Sequence, residues 1–322
     1  MKVVVTDITF NDYEEEKKVF DAIGCELIIK DCKTEDEIIE VAKDADGLLN
    51  AAAQVTRRVI ESLPNLKAVS RYGIGVDTID TEAASERGVY VGNVPDYCHA
   101  EVSDHALALI LSFARKIVVL NYNTKTKHTW SVFDEAPIRR FSTQTVGLVS
   151  FGNIARSLCK KLQAIGFKVI ASDPYCSQEL AREYDVELVS MEELMKRSDI
   201  VSVHAPLTKE THHFINEELI NLMKKDAFIV NTGRGPVIDE KALVNALKEK
   251  KIAGAALDVI EVEPIDPNNP LIQMDNVILT PHAAFYSEES CNEMKRKAAQ
   301  NIADVLLGKE PKYWVNNKEF VK

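Results

Sequence analysis

Short β-branched runs alternate along this chain with stretches in which apolar residues recur every three or four positions. Residues 2–8 are the first such run, and 11–23 carry the first helical periodicity. Residues 26–30 read as a second strand and 35–43 as a second helix. Further strands fit 47–50 and 66–71, with a helix over 56–63, and the run 89–91 closes this block near Pro95. Strands that alternate with helices imply a parallel sheet, because parallel neighbours need a crossover between them.

A longer helical pattern follows over 101–120, with Ala106, Leu107, Leu109, Ile110, Phe113 and Ile117 on one face. Residues 121–142 are polar and irregular, with Trp130 and Phe133 as isolated anchors. A cleaner alternation then begins, with six strands expected at 145–150, 168–172, 200–204, 228–231, 253–258 and 277–280. Helices fit 153–165, 191–197, 216–223 and 240–250, and a last one covers 287–307. Six strands joined by helical crossovers form the pattern of a doubly wound dinucleotide fold. The expected fold class is α/β with two Rossmann-like domains. The second, over 99–291, is expected to be inserted into a first made of 1–98 and 292–322.

At 322 residues and 46% hydrophobic, the chain is long for one core and comfortable for two. Its net charge of −11, from 39 basic and 50 acidic side chains, lacks the basic face of a nucleic-acid binder. The six cysteines, Cys25, Cys32, Cys98, Cys159, Cys176 and Cys291, include no CxxC pair. That pattern predicts reduced thiols, a cytoplasmic protein and no metal centre. The apolar start stops at Asp7, too short for a signal-peptide core. No stretch approaches the roughly 18 apolar residues of a membrane span.

Chemistry enters at the strand ends. The run 145–150 leads straight into Phe151-Gly152-Asn153-Ile154-Ala155, where a G-x-G-x-x-G fingerprint belongs. The chain has Ser150, Gly152 and Ala155 at the three positions. Gly152 lets the backbone approach a pyrophosphate, and the helix behind it offers N–H groups and a favourable dipole. Serine departs from glycine at the first position and costs about 1 kcal/mol if that turn needs φ > 0. Asp173 closes the next strand, where the ribose-binding acid belongs. A carboxylate there accepts ribose hydroxyls and repels a 2′-phosphate, so NAD(H) is expected over NADP(H).

Three more segments follow buried strands. These are Asn231-Thr232-Gly233-Arg234-Gly235-Pro236, Val259-Ile260-Glu261-Val262-Glu263-Pro264 and Thr280-Pro281-His282-Ala283-Ala284. Reducing a 2-keto acid needs a cation for the carboxylate or ketone oxygen, a proton donor and an adjacent hydride. Arg234 supplies the planar cation. His282 fits as general acid/base. Glu263 fits as the carboxylate that orients His282. Each has a bland alternative: a surface arginine, a structural histidine, a solvated turn. Their order on this fold favours catalysis.

Together these segments resemble the D-isomer-specific 2-hydroxyacid dehydrogenase family over nearly the whole chain. The resemblance implies that Arg71-Tyr72-Gly73-Ile74-Gly75-Val76-Asp77 is a substrate loop, with Arg71 in reach of substrate and the amides near Ile74 and Gly75 holding its carboxylate. It implies a flavodoxin-like substrate domain, a site in an interdomain cleft and a homodimer. It places Val203-His204-Ala205-Pro206-Leu207-Thr208 and Thr232 along the cofactor, and Asp258 near the nicotinamide carboxamide. The segments 93–97 and 282–287 are similar to the branch containing the C-terminal-binding-protein corepressors and their bacterial enzyme relatives. Phe285 stands where that branch often has tryptophan, which keeps an aromatic wall and changes pocket size. Formate oxidation is disfavoured, because it replaces the glutamate with an amide. Phosphoglycerate, glycerate/hydroxypyruvate and lactate-like acids all remain open as substrates, with Arg71, Arg139 and Arg140 as candidate phosphate contacts. The alternative is an NAD(H)-sensing, corepressor-like interaction module.

Overall fold

The computed structural model describes residues 1–316; the end of the expected C-terminal tail, 317–322, lies outside the described residues. Two compact units divide the chain. One is Met1–Tyr97 with the segment from Ser287 onward, and the other is Cys98–Tyr286.

The first unit holds five parallel strands: β1 (Lys2–Val5), β2 (Glu26–Ile29), β3 (Gly47–Asn50), β4 (Ala68–Arg71) and β5 (Tyr90–Gly92). Their order is β2-β1-β3-β4-β5, the flavodoxin-like winding. Val3, Val4, Leu48, Leu49 and Val69 are fully or almost fully buried, as expected of strands covered on both faces. Side chains of Thr34, Thr56 and Asp80 cap the helices that follow them. The helix Glu288–Leu306 completes this unit, capped by a reciprocal pair of Ser287 and Ser290. Its Ile302 presses so close to β3 that a Cβ at Gly47 would lie 2.7 Å from it. Beyond it, Asn316 accepts from Val91 N at 2.9 Å and donates to Val89 O at 2.8 Å, and Trp314 bridges antiparallel to Gly92.

The second unit holds seven parallel strands: β6 (Thr145–Val149), β7 (Lys168–Ser172), β8 (Glu187–Leu188), β9 (Ile200–Val203), β10 (Phe228–Asn231), β11 (Gly254–Leu257) and β12 (Val277–Leu279). The order is β12-β11-β10-β9-β6-β7-β8, with the winding reversing between β6 and β9. One apolar layer, including Leu194, Ile229 and Leu243, covers one face of the sheet. Another, including Ile110, Leu148, Leu158 and Phe228, covers the other.

Two expectations need correction. Six strands were expected in this unit; β8 is a seventh, two residues long and so without a readable period. The helix expected over 101–120 is two helices, His99–Ala114 and Ile117–Tyr122. Lys116 between them is left-handed (φ 57°) and its N–H closes the first helix on Phe113 O. Ile117, expected on the buried face, is thereby turned out and is 56% exposed. No helix of the described residues is long and apolar enough to cross a membrane. All six cysteines are described, and none forms a disulfide.

Candidate active site

The residues expected at the second unit's site all lie at the C-terminal ends of its strands, on one edge of the sheet. β6 ends in Ser150, which is left-handed (φ 71°) and donates its N–H to Ser172 O at 2.9 Å. Gly152 then caps the helix Asn153–Ala164, with Ala155 fully buried beneath it. A Cβ built on Gly152 would meet nothing within 4 Å, so the backbone is open to approach there. Asn153 bonds Arg156 on the exposed side of the first turn, and Ile154 is half-buried. After β7, Asp173 accepts Phe151 N at 2.7 Å and Ser150 Oγ at 3.3 Å on one oxygen, and Tyr175 N at 2.8 Å on the other. The carboxylate is thus fixed in place by the loop it faces, with acceptor capacity left over.

After β9, His204 Nε2 lies 2.9 Å from Ser202 Oγ, and burial pushes this imidazole down to about 4, so it is neutral at pH 7. Pro206 O accepts Thr211 Oγ1 at 2.6 Å. After β10, Thr232 is buried and its hydroxyl has no hydrogen-bond partner. Buried hydroxyls seldom stay orphaned, so a donor or acceptor from a bound molecule belongs there. The open Gly152 backbone, the helix N-terminus, the fixed Asp173 carboxylate and the orphaned Thr232 hydroxyl together fit a dinucleotide. Among the described residues no group of three or more His, Cys, Asp or Glu side chains is arranged to hold a metal ion.

The side chains expected to be catalytic stand on the next three turns. Buried Asn231 staples its own turn, accepting Gly233 N at 2.9 Å and donating to Arg234 O at 3.0 Å. Gly235 packs directly on the backbone of Ile260. His282 is left-handed (φ 51°), and its Nδ1 lies 2.7 Å from Glu263 Oε2. Glu263 Oε1 accepts Ile260 N at 3.2 Å. Partial burial alone would raise the Glu263 carboxyl. The His282 hydrogen bond and charge, the Ile260 amide and the charge of Arg234 outweigh it and hold the group below its ordinary value. Glu263 is therefore an anion at neutral pH, held by His282 and within the field of Arg234. Phe285 lies edge-on to His282, with ring centroids 6.2 Å apart.

Asp258 has a larger structural part than its expected place beside the carboxamide. Its oxygens accept Thr280 Oγ1 at 2.6 Å, Ala283 N at 2.8 Å and Ala284 N at 2.9 Å. Its carbonyl accepts His282 N at 2.8 Å. This almost fully buried acid is the pin on which the His282 turn is built. His105 reaches it from the helix His99–Ala114, 3.4 Å from Asp258 Oδ1 and 3.0 Å from Thr280 Oγ1. Sequence reasoning missed His105, since one histidine inside an apolar helical pattern carries no local signal.

In the first unit, Arg71 at the end of β4 donates from Nε to Ala51 O and from Nη1 to Gly75 O, both at 3.1 Å. Gly73 O accepts Val94 N at 2.8 Å and Ile74 O accepts Asn93 Nδ2 at 2.7 Å. All three carbonyls of the Gly73–Gly75 turn are therefore bonded inward. Gly73 has φ 136°, and a Cβ there would lie 2.5 Å from Arg71 Nη1. Asp7, also missed, accepts the amides of Ala51, Ala52 and Ala53 and fixes the loop Arg71 leans on. Arg139 pairs with Asp226 at 2.9 Å, just before β10. That is the N-terminal edge of the sheet, opposite the turns expected to be catalytic, and Arg140 beside it is exposed.

The profile of the D-isomer specific 2-hydroxyacid dehydrogenase NAD binding domain matches residues 107–284. This chain belongs to the D-isomer-specific 2-hydroxyacid dehydrogenase family. D-3-phosphoglycerate dehydrogenase of Methanocaldococcus jannaschii is 41% identical over 98% of the chain, which spans only 59% of that protein. Glyoxylate reductase of Thermofilum pendens is 39% identical, covering 92% of the chain and 90% of that protein. The crystal structure of D-lactate dehydrogenase from Aquifex aeolicus, complexed with NAD and lactic acid, superposes with a TM-score of 0.88 at 27% identity, covering 98% of this chain and 99% of that one.

Where this chain departs from the family's usual glycine, at Ser150, a measurable effect follows. The left-handed serine carries about 1 kcal/mol of strain, partly offset in a glycine variant by the freer unfolded chain. Ser150→Gly is expected to melt no lower than the parent. Its loss of the hydroxyl on Asp173 should weaken NADH binding about two- to tenfold, the worth of one net hydrogen bond. NADH fluorescence titration beside a thermal melt reads both, and unchanged affinity would show that the hydroxyl is idle.

Proposed function

We propose that this chain is an NAD-dependent oxidoreductase acting on the CH–OH group of a small D-2-hydroxy acid. The observation that carries the reading is the 2.7 Å pairing of His282 Nδ1 with the Glu263 carboxylate, whose ionisation Arg234 also favours. An ionised carboxylate can only accept, so the Nδ1 that faces it carries a proton and Nε2 is the atom that exchanges one with substrate. In the reductive direction His282 protonates the oxygen that becomes the hydroxyl, and Glu263 stabilises the charged imidazole until it does. Arg234 takes the substrate carboxylate or polarises its ketone. Bound NADH supplies the hydride. Arg71 and the amides of Ile74 and Gly75 are proposed to hold the carboxylate, Phe285 to wall the pocket, and Ser150, Gly152, Asn153, Ile154, Asp173, His204, Pro206, Thr232 and Asp258 to line the cofactor.

Among the open substrates we favour an unphosphorylated two- or three-carbon keto acid such as glyoxylate or hydroxypyruvate. Of the three arginines raised for a phosphate, Arg139 pairs with Asp226 just before β10 and Arg71 is bonded to two backbone carbonyls. NADH oxidation against glyoxylate, hydroxypyruvate, phosphohydroxypyruvate and pyruvate tests both statements. The expected order puts the first two ahead in kcat/KM. A preference for the phosphorylated acid would reverse the substrate choice. NADH binding without turnover on any acid would overturn the enzyme reading in favour of an NAD(H)-sensing interaction module.

A homodimer is proposed from the same family resemblance. Ile117, Val118, Tyr122, Trp130 (92% exposed), Val132 and Phe133 (84% exposed) put several exposed apolar side chains in the segment 117–133, which a second copy could cover. Sedimentation equilibrium reads the mass. A reducing, cytoplasmic setting is proposed from the six thiols that form no disulfide.

A further inference from the structure

A second histidine–glutamate pair has its glutamate two residues before that of the first. His213 Nε2 lies 2.8 Å from Glu261 Oε1, with both side chains about a third exposed. The backbone of His213 is left-handed (φ 51°), and its N–H donates to Pro236 O at 2.8 Å. Pro236 is two residues after Arg234, and Glu261 is two residues before Glu263. One residue therefore grips the Arg234 turn through its main chain and the Glu263 turn through its side chain. A histidine held in the left-handed region costs about 1–2 kcal/mol and persists only where its surroundings over-determine it.

The grip is reinforced on both sides. Glu261 N donates to Glu240 Oε2 at 2.9 Å, and Glu240 N donates back to Glu261 Oε2 at 3.3 Å. Asn269 Nδ2 holds the other oxygen of Glu240 at 2.8 Å. His212 stacks on the His213 ring, with centroids 4.0 Å apart. Two residues on from His213, Ile215 N donates to Val237 O at 3.0 Å, so the grip on the segment behind Arg234 spans more than one bond. Ile260, whose N–H holds Glu263 Oε1, is the residue next to Glu261.

We infer that His213 and Glu261 are positioning residues for the acid/base pair, a bracket that fixes the distance between Arg234 and Glu263 and so the aim of His282. Neither touches the reacting atoms; both act through the turns that carry them. The inference rests on the dehydrogenase reading above. A misplacement of about 1 Å costs on the order of 10- to 100-fold in rate. The loss falls on the proton-transfer step and leaves the cofactor loop, built from Ser150 to Asp173, untouched.

The test uses the full chain with NADH and the best acid of the wild-type panel. Asparagine tolerates the left-handed backbone but cannot reach Glu261, so His213→Asn opens the bracket without straining the turn. The expected result is a kcat lowered about 10- to 100-fold, a larger solvent deuterium isotope effect on kcat, and an NADH Kd within about twofold of the parent. His213→Gln, whose amide reaches Glu261 as a donor, should recover most of the rate, and Glu261→Ala should match His213→Asn without adding to it in the double variant. A parental kcat and isotope effect in His213→Asn would overturn the inference. So would a rate loss that tracks a lower melting temperature equally in the Asn and Gln variants, since that is stability alone. Absence of wild-type turnover would instead sink the dehydrogenase reading, and it is measured first.

Discussion

Gly235→Ala is expected to leave little folded, active protein. A Cβ built there falls 1.7 Å from Ile260 O, 2.0 Å from Ile260 C and 2.6 Å from Glu261 N. All three are backbone atoms, so no side-chain rotation relieves the clash. The Arg234 and Glu263 turns would have to part, and with them the bonds of His213 and Glu240 to Glu261. Single substitutions that force such a rearrangement exceed about 4 kcal/mol, a large share of the roughly 5–15 kcal/mol that holds a domain together. Soluble yield and a circular-dichroism melt read the stability; turnover of any folded fraction reads the site. An alanine variant with parental melting temperature and kcat would show that the two turns are not packed back to back.

His282→Ala is expected to fold normally and to lose about 10²- to 10⁴-fold in kcat, the contribution of a positioned general acid. Its imidazole lies at the surface of the turn, while the turn itself is held by Asp258 through backbone groups that alanine keeps. NADH affinity should therefore stay within about twofold, because the main chain that faces the cofactor does not move. Glu263→Gln should cost less than His282→Ala, since it removes the anion that supports the imidazolium but leaves the imidazole in place. Single-turnover mixing separates the chemical step from product release. A His282→Ala rate within a few-fold of the parent would hand the proton to another group.

Much of this was legible in the residue order. Periodicity found eleven of the twelve strands of the described residues because most are short, largely apolar runs set off by turn residues. It missed β8, which pairs over Ile170 and Ala171 for only two residues. It also missed the helices Thr81–Glu86 and Gln178–Glu183, six residues each, although Asp80 and Ser177 supply ordinary caps. Local chemistry singled out Ser150 and Asp173, and both sit just past strand ends, joined by a hydrogen bond. Ser150 is left-handed, the case in which the serine at that fingerprint position was expected to carry strain. What the order of residues could not convey is support at a distance. His213 lies 48 residues from its partner Glu261, and His105 lies 153 residues from Asp258. Such pairs exist only once the sheet has brought strand ends together, and no window along the chain contains both. Arg139 illustrates the converse: its charge suggested a phosphate contact, and only the fold sends it to the opposite edge.

The first unit draws its last parts from the far end of the chain. Asn316 bonds Val89 and Val91, and Ile302 and Asn301 fill the face of β3 and β5. On the ribosome the five strands of that unit are therefore made long before the helix that covers them. The intervening Cys98–Tyr286, whose sheet is closed by its own residues, is complete first. The early-made strands must wait with an apolar face exposed for nearly two hundred residues of synthesis, about 10–40 s at ordinary elongation rates. During that interval the segment Met1–Tyr97 is the part of the nascent protein most exposed to aggregation and most dependent on a holding chaperone.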